Sequence, residues 1–279
     1  MCHPFETAFC SAVAHIHEDE CSAPEFYTGG AKLTIVPCAV DKMTPDDLRA
    51  SIAAEGTRGV HGPQRGAVSI TQVAEKGSVH TLDELKALIA VAKEFDLPVH
   101  LDGARFANAL AKLDCTPAEM SWKLGVDAVS FGGTKNGLMG VEAVIFFDPK
   151  QTWEFELRRK RGAHLFSKTR YLAAQMEAYL TDDLWLTSAR HANANMARLA
   201  NGLRQIEGVS FLAEPDANMV FALMPRAVHK RLHDGGAVYY LMQGELIGDD
   251  PDETLLCRLV CDWSISEAQI DQFITLATG

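Results

Sequence analysis

Ser130-Phe131-Gly132-Gly133-Thr134-Lys135-Asn136-Gly137 follows directly on the apolar run that begins at Ala128. A short apolar run closed by glycines reads as a buried strand, and here the strand delivers a lysine into the turn that ends it. The pattern recurs upstream in Val99-His100-Leu101-Asp102-Gly103-Ala104-Arg105, where a second run ends on an aspartate. Working outward, Leu33 to Pro37, Ala67 to Thr71 and Val141 to Phe147 have the same character. Runs of this length suit strands buried in a parallel sheet.

Helix starts separate the strands. Thr44-Pro45-Asp46-Asp47, Thr81-Leu82-Asp83-Glu84 and Thr116-Pro117-Ala118-Glu119 each place a threonine at the N-cap and an acid three residues on. After the second, Leu82, Leu85, Leu88, Ile89 and Ala92 recur at helical spacing until Asp96-Leu97-Pro98. Strands alternating with capped helices predict an α/β fold with a mostly parallel sheet, whose strand C-terminal ends form the ligand edge. Thr71-Gln72, Asp102 and Gly132 to Lys135 all fall on that edge. From Pro149 to Glu207 the sequence reads as long helix, broken at Thr181-Asp182-Asp183. Beyond Gly208 come Val209 to Leu212, Met219 to Met224, a helix over Ala227 to Asp234, Leu255 to Val260 and a last helix from Ser266. The expected organisation is a large domain over 1–180 and a small C-terminal α+β domain with its connecting helix over 181–279. Met1 is expected to open directly onto a helix or loop, without the usual preceding βα units.

The chain has 279 residues, 47% hydrophobic and 23% charged, enough for a full core. A net charge of -11 argues against nucleic acid or an anionic membrane surface as partner. Neither a long apolar span nor a basic stretch leading into an apolar signal core is present, which points to a cytoplasmic enzyme. The seven cysteines are scattered and read as reduced thiols. Cys257 and Cys261, and likewise His15-Ile16-His17-Glu18-Asp19-Glu20, lack a second ligand set, so no metal site is expected.

Lys135 alone fits a surface lysine in a glycine-rich turn, and Asp102 alone fits a helix N-cap. Together, at successive strand ends, they suit pyridoxal 5'-phosphate. The carboxylate keeps the pyridine nitrogen protonated and the amine condenses with the aldehyde. Small neighbours leave the lysine partly desolvated, which lowers its pKa and frees the amine. Arg105, three residues after Asp102, faces the same planar ligand.

His100 to Arg105 and Ser130 to Gly137, with Glu20 to Leu33, Ser69-Ile70-Thr71-Gln72 and Cys257-Arg258-Leu259-Val260, resemble the threonine aldolase and β-eliminating lyase family. Its members are fold-type I pyridoxal phosphate enzymes, and the likeness covers nearly the whole chain. It implies that Lys135 bonds the cofactor and Asp102 holds its ring nitrogen. By the same resemblance Arg105 binds the ring phenolate or the substrate carboxylate, and Arg258 clamps that carboxylate with its planar fork. A salt-bridged strand arginine is the structural alternative for Arg258. His15 matches the histidine that stacks on the ring and takes a proton from the substrate β-hydroxyl, with His17 its rival. Arg170 falls where the family has an arginine near the phosphate, although in a helix it equally suits a surface charge. Gln72 stands at the cofactor where many members carry a second histidine.

The implied reaction is retro-aldol cleavage of a β-hydroxy-α-amino acid (threonine, allo-threonine or phenylserine) to glycine and an aldehyde. The alternatives are a β-eliminating lyase and a catalytically impaired, shortened member. The family normally begins with a further stretch holding a Ser-Gly-Thr loop for the cofactor phosphate, so the chain resembles an N-terminally shortened member. A homodimer or homotetramer is the implied assembly.

Overall fold

The computed structural model describes residues 1–279. In chain order the first part carries strands β1 (Glu6–Ser11), β2 (Lys32–Val36), β3 (Gln64–Thr71), β4 (Val99–Gly103), β5 (Ala128–Gly132) and β6 (Glu142–Phe146). Its helices are α1 (His15–Glu18), α2 (Ala23–Thr28), α3 (Pro45–Ala54), α4 (Leu82–Glu94) and α5 (Phe106–Leu113). The strands form one sheet in the order β2-β1-β3-β4-β5-β6, parallel except for β6, which turns back antiparallel on β5. The fold is α/β, as the alternating pattern predicts.

Two of the three threonine caps start helices. Thr44 accepts the Asp47 amide at 3.1 Å at the head of α3, and Thr81 and Glu84 close a reciprocal capping box on α4. The third differs. Thr116 and Glu119 make the same exchange of hydrogen bonds, yet the chain turns only once and passes through a short 3-10 turn at Trp122–Leu124 before β5. The cap is local chemistry, whereas propagation needs an apolar stripe to bury, and Ser121 spends its hydroxyl on the Pro117 carbonyl instead. The front end also differs from expectation: residues 6–11 form β1, which sits inside the sheet between β2 and β3.

The two faces of the sheet are unlike. Val68, Ile70, Val99, Leu101, Val129 and Phe131 point to one face, where they pack with residues of α3, α4 and α5 in a continuous core. By the two-residue period of a strand, Ser69, Thr71, His100, Asp102 and Ser130 lie on the other. The expected long helix is three helices, α6 (Thr152–Arg161), α7 (Arg170–Leu180) and α8 (Leu184–Leu203). Asp182 and Asp183, at φ 51° and 55°, make the break foreseen there, and a second break runs over 162–169.

A second sheet follows, of β7 (Ser210–Phe211), β8 (Met219–Pro225), β9 (Leu241–Gln243) and β10 (Thr254–Val260) in the order β7-β8-β10-β9. With α9 (Arg226–Asp234) and α10 (Glu267–Thr278) it closes a separate core around Val220, Leu232 and Cys257. Helix α8 joins the two cores: Trp185 and Ala189 pack in the first, Met196, Leu199 and Leu203 in the second. No helix is long and apolar enough to cross a membrane.

Candidate active site

The C-terminal edge of the first sheet sets three polar residues in register. Thr71 on β3 pairs with Asp102 on β4, and Asp102 pairs with Ser130 on β5. One layer below, His100 bridges the hydroxyls of Ser69 at 2.9 Å and Ser130 at 2.8 Å. Burial lowers the His100 pKa against the pull of Asp102 and Glu20, which favours the uncharged ring in this bridge between strands. Asp102 accepts the Ala104 amide on Oδ1 at 3.0 Å, which fixes the turn that carries Arg105.

The lysine loop is tied down from several sides. The amides of Gly133 and Thr134 donate to the Glu142 carboxylate at 3.1 and 3.2 Å, which fastens the turn to the first residue of β6. Asn136 is buried and donates to the Tyr179 hydroxyl at 2.6 Å and the Trp185 carbonyl at 2.8 Å. Phe131 anchors the strand beneath, with its ring centroid 5.5 Å from Trp185 and 5.7 Å from Phe106. Gly132 is required here. A Cβ on it would lie 2.3 Å from the Ala104 carbonyl oxygen, so only a bare backbone passes between the lysine turn and the Asp102–Arg105 turn.

Charge gathers around Lys135. Its side chain keeps a solvent-exposed flank, yet loss of water around the ammonium and the nearby positive charge of Arg105 hold its pKa below the ordinary lysine value. Asp102 and Glu142 oppose that shift and Arg258 adds to it. Arg105 is itself lowered to about 10, by burial first and then by Arg258, against Asp102. Its Nε is buried and has no hydrogen-bond partner. An amine, a carboxylate and two guanidiniums from separate elements thus meet at the strand ends, with donor capacity left over for an anion.

His15 opens α1 with its ring exposed. Its Nδ1 is 2.9 Å from Glu20 Oε1, and its backbone amide donates to Glu75 Oε1 at 3.2 Å. His17 is exposed on the same short helix. Two expected residues stand differently. Gln72 is corrected: it alternates to the face opposite Thr71, is fully buried, and spends its amide on the His80 backbone (2.9 Å to both N and O) and on Met120. It holds the β3 end to the α4 approach and has no group free for a cofactor. Arg170 begins α7, exposed, with its guanidinium 4.8 Å over the ring of Tyr171 and its hydrogen bond to the same side chain.

Sequence reasoning passed over Glu142, Asn136, Tyr179 and Glu75. The last accepts the Thr71 hydroxyl at 2.6 Å, and its Oε2 is buried without a partner. An acid four residues beyond a predicted strand end is the signal that was there to be read.

Residues 1–227 match the beta-eliminating lyase family. A low specificity L-threonine aldolase of Pseudomonas aeruginosa is 42% identical over 263 residues, which cover 94% of this chain and 73% of the relative. Its counterpart in Pseudomonas sp. is 39% identical over 270 residues, covering 97% and 75%. Among solved structures, Leishmania major threonine aldolase superposes with a TM-score of 0.89 at 26% identity, covering 99% of this chain and 78% of that one. A putative L-allo-threonine aldolase of Listeria monocytogenes, at 17% identity and TM-score 0.73 over 99% of this chain and 74% of that one, shares the fold. With its α/β sheet and its lysine and aspartate on one strand edge, this chain belongs to the beta-eliminating lyase family and is similar over most of its length to the low specificity L-threonine aldolases.

Proposed function

We propose that the protein is a pyridoxal phosphate-dependent carbon-carbon lyase that cleaves β-hydroxy-α-amino acids, threonine first among them, to glycine and an aldehyde. The observation that carries this reading is the meeting of Lys135, Asp102, Arg105 and Arg258 at the sheet edge. The residues fit the cofactor: a carboxylate for a protonated ring nitrogen, an amine for the aldehyde, and a buried Arg105 Nε still lacking an acceptor. When bound, the cofactor supplies an electron sink for the bond broken at the substrate Cα.

The protein's own groups do the rest. Lys135, whose ammonium is destabilised by lost water and by Arg105, would be the covalent anchor. Asp102 would keep a proton on the ring nitrogen, and the Ala104 amide on its Oδ1 holds the carboxylate in place for that. Arg258 presents a planar fork from the second sheet and would orient the substrate carboxylate opposite Arg105. His15 would take the β-hydroxyl proton at its ring, held through Nδ1 by Glu20. The division at 180/181 belongs to the same reading, with cofactor groups before it and Arg258 after it.

A homodimer or homotetramer is part of the proposal. It is supported by large apolar side chains left in solvent beyond the first sheet, such as Met139 at 81%, Trp153 at 71% and Tyr171 at 61% exposed. A cytoplasmic setting is supported by the seven free thiols. Product analysis after incubation with threonine and pyridoxal phosphate is the test. Glycine with acetaldehyde supports the reading, whereas ammonia with a keto acid replaces it with β-elimination.

A further inference from the structure

Glu75 lies just past the end of β3, in the turn that leads toward α4, and its carboxyl group comes back against the site. Oε1 accepts two hydrogen bonds, from the Thr71 hydroxyl at 2.6 Å and from the His15 backbone amide at 3.2 Å. Thr71 is the register partner of Asp102, and His15 is the first residue of α1. One oxygen therefore joins the strand edge that carries Asp102 to the helix that carries His15. Glu75 and His15 are 60 positions apart in sequence. Oε2 is buried and unpartnered, the place a proton occupies when the group is neutral.

We propose that Glu75 is a positioning residue for the reaction, a carboxylate clamp that fixes His15 beside Asp102 and tightens when it gains its charge. The proposal rests on the reading of His15 and Asp102 as site residues. A charged acceptor makes shorter hydrogen bonds, roughly twice as strong as a neutral one does, so ionisation strengthens both bonds to Oε1. The groups facing Glu75 set when that happens. Asp102 approaches from β4, and Cys10 comes from β1, itself under the influence of Glu25 on α2. Thr71 and the His15 amide supply the hydrogen bonds, and Glu20 meets the His15 ring at Nδ1. Cys10 is held up to about 12 by burial and adds no charge. No lysine or arginine pairs with Glu75, and Lys76 turns away over the ring of Phe221. Burial, helped by Asp102, raises the Glu75 carboxyl to about 7 against its hydrogen bonds. The clamp therefore changes state where a cytoplasmic enzyme works.

The test pairs Glu75→Gln, which keeps an oxygen acceptor but no charge, with Glu75→Ala, which keeps neither. The first readout is the His15 backbone amide proton of the unloaded protein, followed by NMR from pH 5.5 to 8.5. Wild type shows a downfield step centred near 7, and the step is absent from Glu75→Gln. The second is the pH profile of the cofactor-loaded enzyme with threonine. In wild type kcat rises through the same interval. In Glu75→Gln the rise is lost, leaving kcat at pH 8 on the order of tenfold lower, and Glu75→Ala falls toward the 10²-fold that a misplaced group costs, with KM within about twofold in both. An amide step that persists in Glu75→Gln, or an unchanged kcat profile, overturns the clamp and leaves the lyase reading intact. If wild type makes no glycine and aldehyde, the lyase reading falls, and the amide titration still decides whether Glu75 holds His15.

Discussion

Replacing Gly132 by alanine tests the arrangement of the site more directly than removing any polar group. The added Cβ would stand 2.3 Å from the oxygen, 2.7 Å from the carbon and 2.9 Å from the Cα of Ala104, whereas ordinary contact begins near 3.4 Å. The neighbour is backbone and cannot rotate aside, so β5 and the Asp102–Arg105 turn must part by about 1 Å. Ala104 donates its amide to Asp102 and precedes Arg105, so this displacement separates Lys135 from both. Overpacking of this kind costs about 1–3 kcal/mol of stability, and a misplacement of about 1 Å costs about 10²-fold in rate. Urea unfolding gives the first quantity and kcat/KM for threonine the second. Gly62→Ala is the control, because its Cβ would meet only the Arg58 side chain, at 3.4 Å from Cβ and 4.0 Å from Cδ. A Gly132→Ala protein within about 0.5 kcal/mol of wild type and with unchanged kcat/KM would refute the claim that backbone contact sets the spacing of lysine and aspartate.

Lys135→Ala is expected to abolish the long-wavelength absorbance of the cofactor-loaded protein and its threonine cleavage while leaving the melting curve in place, since the side chain has an exposed flank. Arg258→Lys should raise KM about tenfold with a smaller effect on kcat, because a point charge replaces a planar fork. Tyr179→Phe removes one of the two acceptors of the buried Asn136 amide and should cost about 1 kcal/mol in denaturant unfolding. Glu75 predicts a pH dependence of stability. Its folded pKa stands above the unfolded value of 4.5, so the folded state holds the proton more tightly. That contribution is complete below pH 4.5 and is lost as pH rises through about 7. It amounts to at most about 3 kcal/mol. Glu75→Gln should flatten that slope in melts taken from pH 4.5 to 8.

The core strands and the lysine-aspartate pair were legible because both are local. An apolar run closed by glycine and an acid or amine at its end can be read without knowing the neighbours. β1 was missed since Glu6-Thr7-Ala8-Phe9-Cys10-Ser11 mixes polar and small residues, and it becomes a strand only when β2 and β3 bond to it from both sides. Gln72 is placed at the cofactor by the resemblance, where many members carry a second histidine, but adjacent residues on a strand face opposite ways, and here its amide turns to His80 and Met120. Glu75 looks in sequence like an ordinary turn acid in Val73-Ala74-Glu75-Lys76-Gly77. Its burial comes from α1 and β1, which arrive from the other end of the chain. Glu142 and Tyr179 were missed for the same reason: each supports the lysine turn from a separate element.

Arg105, in the turn after β4 of the first sheet, and Arg258, on β10 of the second, repel each other. Asp102 offsets part of that repulsion, and a substrate carboxylate placed between the two guanidiniums would offset the rest at the point where the reaction is proposed to occur. On the proposed reaction both the amino acid substrate and glycine carry a carboxylate, whereas the aldehyde carries none. On that reading glycine keeps the contact that neutralises the two guanidiniums, and the aldehyde has no group to hold it there.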